Sequence, residues 1–254
     1  MFPYKDDNPT ELPAIVTVGI IAANVLAWLF VQGMGSPEAL ARSVCDLGLV
    51  PGELLRTVKP GTGVELAPGL FCLVDVQPHY STLLTSMFMH GGWLHLIGNM
   101  VFLWVFGNNI EDVMGHGRFV LFYLLCGVAA AGAQMLIGPN SAVPMVGASG
   151  AISGVLGAYL LLYPRVRVHT LLFLGFYATT VAMPAYLMLG YWAVLQLLGG
   201  LVTLSGIDRG GTAFFAHIGG FVAGLILIRF FASEDSLRRR PQPPSGYYRY
   251  RTYG

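Results

Sequence analysis

The run from Pro13 to Gln32 is apolar and uncharged around the single Asn24, and at about 20 residues it has the length a helix needs to cross a hydrocarbon layer. Comparable runs recur near Thr85 to Phe106, Phe119 to Gly138, Ser149 to Tyr163, Ala185 to Leu204 and Gly211 to Ala232. The whole chain is 55% hydrophobic and 11% charged, whereas ordinary soluble domains carry about 25% charged residues. A soluble core cannot absorb that much apolar sequence, so the expected fold class is an all-α membrane protein with six spans. The net charge of +1, with few basic residues and no stripe of them among exposed aromatics, excludes a nucleic-acid partner. The first run is long enough to span and lacks a small-residue cleavage site, so it reads as a span and not as a cleaved signal.

Between the runs the chain is punctuated. Residues 1–12, with Lys5, Asp6 and Asp7, read as a solvated cytoplasmic tail, and residues 13–232 as the membrane domain. Residues 33–81 are polar and broken by Pro37, Pro51, Pro60, Pro68 and Pro78, which is too long for a mere connector and predicts a structured cap on the outer face. Two of the three cysteines, Cys45 and Cys72, lie in that loop. In an oxidising compartment they can pair if their Cα atoms come within bridging distance, closing a loop of about 26 residues and adding about 3 kcal/mol. Asn108 to Arg118, holding Glu111 and Asp112, reads as a short solvated hinge. The apolar piece His169 to Met183 ends at Pro184 and reads as interfacial or partly re-entrant, because a further crossing would turn His217 the wrong way to meet Ser149. Gly211 to Ala232 follows a short loop with Asp208 and Arg209, and residues 233–254 are rich in Pro, Arg and Tyr and read as a disordered basic tail that can touch anionic lipid. On this arrangement one side carries Lys5, Arg118, Arg165, Arg167, Arg229 and the five tail arginines, ten of 14 basic residues, and is therefore expected to be cytoplasmic and to hold both termini.

The stretch Gly147-Ala148-Ser149-Gly150-Ala151-Ile152-Ser153-Gly154 follows Pro144 and opens the fourth run. A serine in an apolar helix commonly bonds back to a carbonyl one turn earlier. Ser149, however, stands in the first turn between Gly147 and Gly150, where its hydroxyl and its amide can both face a reacting carbonyl. A serine needs a base, and His217 lies in the last run, with Gly220 and Gly224 at i+3 and i+7 on its helical face. Ser153 and Gly157 share the face of Ser149, and two small-residue faces let membrane helices approach closely. The fourth run is only about 15 residues, roughly 22 Å of helix, so Ser149 is expected below the membrane surface in a wet depression. In the second run His95 and Asn99 share a face at i and i+4, with His90 near its start. They are candidates to hold an oxyanion in a dry site, an interhelical hydrogen bond being the plainer alternative. No zinc-protease spacing occurs, and no metal is expected. Between Ser149 and His217 the only acid is Asp208, and position 151 is Ala where a nucleophile elbow needs Gly, so a dyad without an acid is the better hypothesis.

Together His90, His95 and Asn99, then Gly147-Ala148-Ser149-Gly150, then Ala216-His217-Ile218-Gly219-Gly220 with Gly224 resemble the rhomboid family of intramembrane serine proteases, over Thr85 to Leu225. The resemblance implies a six-transmembrane-helix, rhomboid-like bundle with a large outer-face loop between helices 1 and 2. It implies a Ser149–His217 dyad, an oxyanion site from Asn99 and His95 with the Ser149 amide, and no cofactor. It further implies cleavage of transmembrane protein substrates that enter laterally from the bilayer near the second and fifth helices. A bacterial plasma membrane is the expected setting. Two positions depart from the family: Ser81-Thr82 stand where many members carry a Trp-Arg pair, and Ser153 stands where some place an aromatic ring against the catalytic imidazole. The rival readings are a catalytically silent rhomboid-like binder or chaperone of transmembrane segments, whose mark would be loss of the serine or histidine, and a channel or carrier, which would show an inverted repeat or mid-span charge.

Overall fold

A computed structural model describes residues 2–67, 70–174, 177–205 and 212–233. The loop with Asp208 and Arg209 and the tail from residue 234 onward lie outside the described residues.

Among the described residues, six long helices form the body. α1 (Ile15–Leu26) continues through a π-helical turn over Ala27–Val31. The long loop follows, with α2 (Pro37–Leu47), the short α3 (Pro51–Leu54), the paired strands β2 (Gly63–Ala67) and β3 (Leu70–Leu73), and the short α4 (Thr82–Thr85). Then come α5 (Trp93–Met114) and α6 (His116–Ile137), joined at Gly115, and α7 (Ser149–Leu162). A hairpin of β4 (Arg167–Leu174) and β5 (Tyr177–Pro184) precedes α8 (Ala185–Leu204) and α9 (Phe214–Phe231). Of these, α6, α8 and α9 are each long and apolar enough to cross a membrane; α1 and α7 are apolar but shorter.

The core lies between α5, α6 and α7, where Leu103, Phe106, Phe122, Cys126, Val155 and Tyr159 are fully buried. α7 and α9 run parallel and touch along glycines. A Cβ at Gly220 would fall on the carbonyl of Gly150, and one at Gly224 on the carbonyl of Gly154, so only glycine permits this separation. Tyr186 N–H donates to the Pro164 carbonyl and Ala185 N–H to that of Val166, both at 2.8 Å. α8 thus starts beside the end of α7 and carries the chain back to the level at which α9 begins.

Three sequence expectations are corrected here. The fold is mostly helical but not all-α, since β1 (Phe2–Asp6), β4 and β5 form an antiparallel three-stranded sheet in that order, β1–β4–β5. Of the segment 1–12, residues 2–6 are therefore no solvated tail: Phe2 pairs with Leu171 and Asp6 with Val168. The piece 169–183, expected to be interfacial or partly re-entrant, lies in the β4–β5 hairpin; Val168, Thr170, Thr179, Thr180 and Val181 are β-branched and sit better on a pleated surface than on a helix. Asn108 to Arg118 is no solvated hinge either, because α5 runs on to Met114 with Asn109, Glu111 and Asp112 buried. The Glu111 carboxylate accepts from Val16 N and Thr17 N at 2.8 Å and from Thr17 Oγ1 at 2.7 Å, capping the open amides at the start of α1. Asp112 accepts from Leu12 N at 2.8 Å.

Beneath α7 the first strand is locked in by a side chain. Asp6 Oδ2 accepts from Tyr159 Oη at 2.5 Å and from Asn109 Nδ2 at 2.9 Å. Burial pushes the Asp6 carboxyl up from 3.8 to about 6, against the lowering effect of the bond from Tyr159.

Candidate active site

Ser149 is the first residue of α7, with Ala148 as N-cap, so its amide belongs to the turn whose N–H groups lack helical partners. The chain arrives there through Gly147 at φ +129°, a backbone conformation open to glycine, with Gly147 N–H donating to the Ser86 carbonyl at 2.9 Å. The long loop grips the same approach: Leu49 and Met145 exchange both backbone bonds, at 2.9 and 2.8 Å. Ser149 Oγ lies 2.7 Å from His217 Nε2 on α9, across the glycine seam. His217 Nδ1 lies 2.8 Å from Gln196 Oε1 on α8, and the indole of Trp192 is tilted at 37° to the imidazole with centroids 6.1 Å apart. Ser153 does not reach the imidazole by a bond; its hydroxyl donates to the Ser149 carbonyl at 2.6 Å.

His95 and Asn99 lie one turn apart on α5 and line the same cavity of about 840 Å³ as Ser149 and His217. Gly91 N–H donates to His95 Nδ1 at 3.3 Å, so in the neutral ring Nε2 carries the proton. That Nε2 abuts Gly147: a Cβ there would stand 2.8 Å from it and 3.4 Å from Ser149 Oγ. A second donor, Asn99 Nδ2, is buried and makes no hydrogen bond. His90 is fully buried with its ring edge-on to His95 at 5.1 Å. Its backbone N–H and carbonyl are both held at 2.8 Å by the amide of Gln32. Gly150 packs against Ala130, and Gly220 and Gly224 form the seam already described.

The cavity lining contains no Asp, Glu, Lys or Arg among the described residues. Its chemistry is a hydroxyl beside an imidazole, with neutral donors nearby. Among the described residues, grouped donors that could hold a metal occur at Glu53, Asp75 and His79, in the long loop. There the buried Glu53 carboxylate is already bonded by the amides of Asp75 and His79, each at 3.2 Å. Cys45 and Cys72 form a disulfide with Cα atoms 5.3 Å apart, tying α2 to β3. With the Gln32 and Glu53 contacts it holds the loop that Ser81-Thr82 leave without a Trp-Arg pair.

The sequence profile of the family described as Rhomboid domain matches residues 77–234. The chain belongs to the rhomboid family. It is 34% identical over 157 residues to the rhomboid protease GluP of Bacillus subtilis, an alignment covering 62% of this chain and 26% of that protein. It is 31% identical over 159 residues to the chloroplastic rhomboid-like protein 11 of Arabidopsis thaliana, covering 59% of this chain and 52% of the relative. With RHOMBOID-like protein 1 of Arabidopsis thaliana it shares 29% identity over 227 residues, 89% of this chain and 54% of the relative. The chain thus spans from about a quarter to about half the length of these rhomboid relatives. Family membership and the apolar helices together make it an integral membrane protein.

Two amides of this rhomboid site escaped sequence reasoning, Gln196 and Gln32 at the end of the first run, as did the Trp192 indole beside the imidazole. The signal available was the same for both, a single amide at the edge or in the interior of an apolar segment, where it must find a partner.

Proposed function

We propose that the chain is an intramembrane serine endopeptidase that cleaves transmembrane segments, with Ser149 as nucleophile and His217 as its base. The observation that carries this reading is the 2.7 Å contact between Ser149 Oγ and His217 Nε2 in a cavity lined by His95 and Asn99. In the reaction His217 Nε2 takes the hydroxyl proton as Ser149 Oγ attacks the peptide carbonyl. The oxyanion is held by His95 Nε2–H, Asn99 Nδ2 and the Ser149 amide, donors that line the cavity beside the hydroxyl before reaction begins. His217 then gives its proton to the leaving amine, and water admitted through the cavity hydrolyses the acyl-enzyme. Gly147, Gly150, Gly220 and Gly224 support the site by closeness, and His90 supports His95 through ring contact.

The six long helices are read as six spans, with both termini cytoplasmic, the long loop and Ser149 towards the outer face, and a bacterial plasma membrane as the setting. The parallel α7 and α9 with α8 returning between them support that count, and the distribution of basic residues supports the orientation. Substrates are membrane proteins entering from the bilayer near α5 and α8, with lipid as the other contact.

Labelling of the detergent-solubilised protein with a fluorophosphonate probe tests the dyad. Wild type is expected to label, and Ser149→Ala and His217→Ala are not. Folded wild type that takes no more label than the variants overturns the reading and favours a silent binder of transmembrane segments.

A further inference from the structure

An amide buried in an apolar helix costs several kcal/mol unless both its ends are bonded. Gln196 is 9% exposed, midway along α8, and its two ends are used differently. Its Nε2 donates to the Trp192 carbonyl one turn earlier, at 3.4 Å, which turns Oε1 towards α9. Oε1 lies 2.8 Å from His217 Nδ1. An amide oxygen only accepts, so this contact requires the proton of a neutral His217 to sit on Nδ1. Nε2 is then left with its lone pair facing Ser149 Oγ at 2.7 Å, the one tautomer in which the ring can take the serine proton. Trp192 covers the ring from the same helix, and its indole also lies 5.8 Å from Phe221, so α8 fixes both the tautomer and the tilt of the imidazole.

We propose that Gln196 is a positioning residue of the site: its side-chain carbonyl selects the Nδ1–H tautomer of His217 in the role that a carboxylate fills in a serine triad, without supplying charge. The proposal rests on the dyad reading of Ser149 and His217. Ser153 on α7 cannot take the part, because its hydroxyl is spent on the Ser149 carbonyl. Nor does any charged side chain among the described residues. The groups facing the His217 turn are His95 from α5, Gln134 from α6, which accepts from Ala216 N at 3.2 Å, Ser149 from α7, and Trp192 and Gln196 from α8. His95 is the titratable one.

The test is the rate of fluorophosphonate labelling across pH, resolved into KI and kinact, for wild type, Gln196→Leu and Gln196→Glu, with Ser149→Ala as control. Gln196→Leu removes the acceptor and is expected to lower kinact about tenfold to a hundredfold with KI unchanged. Gln196→Glu keeps an acceptor oxygen at the same reach and is expected to restore labelling. Its negative charge favours the imidazolium, so the acid limb of the profile moves to higher pH by about one unit or more. A merely structural role would lower both variants together with their thermal midpoints and leave the limb in place, which overturns the proposal. So does Gln196→Leu labelling at the wild-type rate, with the dyad reading intact. If Gln196→Leu does not fold, the limb of Gln196→Glu decides alone. Wild type that fails to label brings down the dyad itself, an outcome separate from either of these.

Discussion

Gly224 on α9 lies against the main chain of Gly154 on α7, so the two helices that carry His217 and Ser149 meet backbone to backbone just beneath those side chains. A methyl group at 224 has nowhere to go, since what it meets is peptide and not the end of a flexible side chain. Gly224→Ala is expected to cost about 1–3 kcal/mol by forcing the helices apart. It is also expected to slow fluorophosphonate labelling about tenfold to a hundredfold, because the hydroxyl and the imidazole separate with them. Thermal unfolding in detergent and labelling kinetics read the two effects; an unchanged midpoint would show that the seam yields freely.

Asn99 Nδ2 is buried without a bond, an arrangement that suits a donor whose partner forms during reaction. Asn99→Ala is expected to lower kcat on a reconstituted transmembrane substrate by about a hundredfold to a thousandfold, with KM little changed. A raised KM at full kcat would move Asn99 from the oxyanion to substrate binding.

Asp6 makes the base of the molecule pH-sensitive. Its carboxyl is raised from 3.8 to about 6 by burial, so the folded protein holds this proton more tightly than the unfolded chain. The contribution of Asp6 to stability is therefore full below about pH 4 and is lost as pH rises through about 6. Asp6→Asn keeps an acceptor for the Tyr159 hydroxyl and does not titrate. The fall in thermal midpoint from pH 4 to 7 is expected to be smaller in this variant than in wild type, and equal falls would mean that the raised carboxyl is not Asp6.

The disulfide closes a loop with a sequence separation of 27. Replacing Cys45 and Cys72 by serine is expected to cost about 3 kcal/mol and to abolish the response of the thermal midpoint to reductant. A wild type indifferent to reductant would show that the bridge adds nothing to the folded state.

What the sequence disclosed follows from how far each signal reaches. The long helices were legible because hydropathy is local, and the close approach of α7 and α9 because small residues recur at helical spacing, Ser149, Ser153 and Gly157 on one and Gly220 and Gly224 on the other, although the backbones meet at the neighbouring Gly150 and Gly154. Glu111 was misread as solvated because its partners, Val16 and Thr17, are 95 and 94 positions away, and a carboxylate without visible partners looks like a surface charge. The strand at Phe2–Asp6 was hidden for the same reason, its pairing partner β4 lying far along the chain. The piece 169–183 is apolar enough for a span, and only its β-branched content argued for strands. Gln196 looked like a stray amide because nothing in its own helix reveals that His217 sits beside it.

The pairing of β1 with β4 also dictates an order of events during biosynthesis. The first strand emerges from the ribosome early but has no partner until residues 167–174 have followed, so the base of the bundle stays unsealed while four long helices are laid down. His217 comes later still, 68 positions after Ser149. At about 5–20 residues per second the hydroxyl exists for roughly 3 to 14 seconds without its imidazole. Through that interval the nascent chain carries the hydroxyl alone, and the pair is united only when nearly everything that encloses it has already been made.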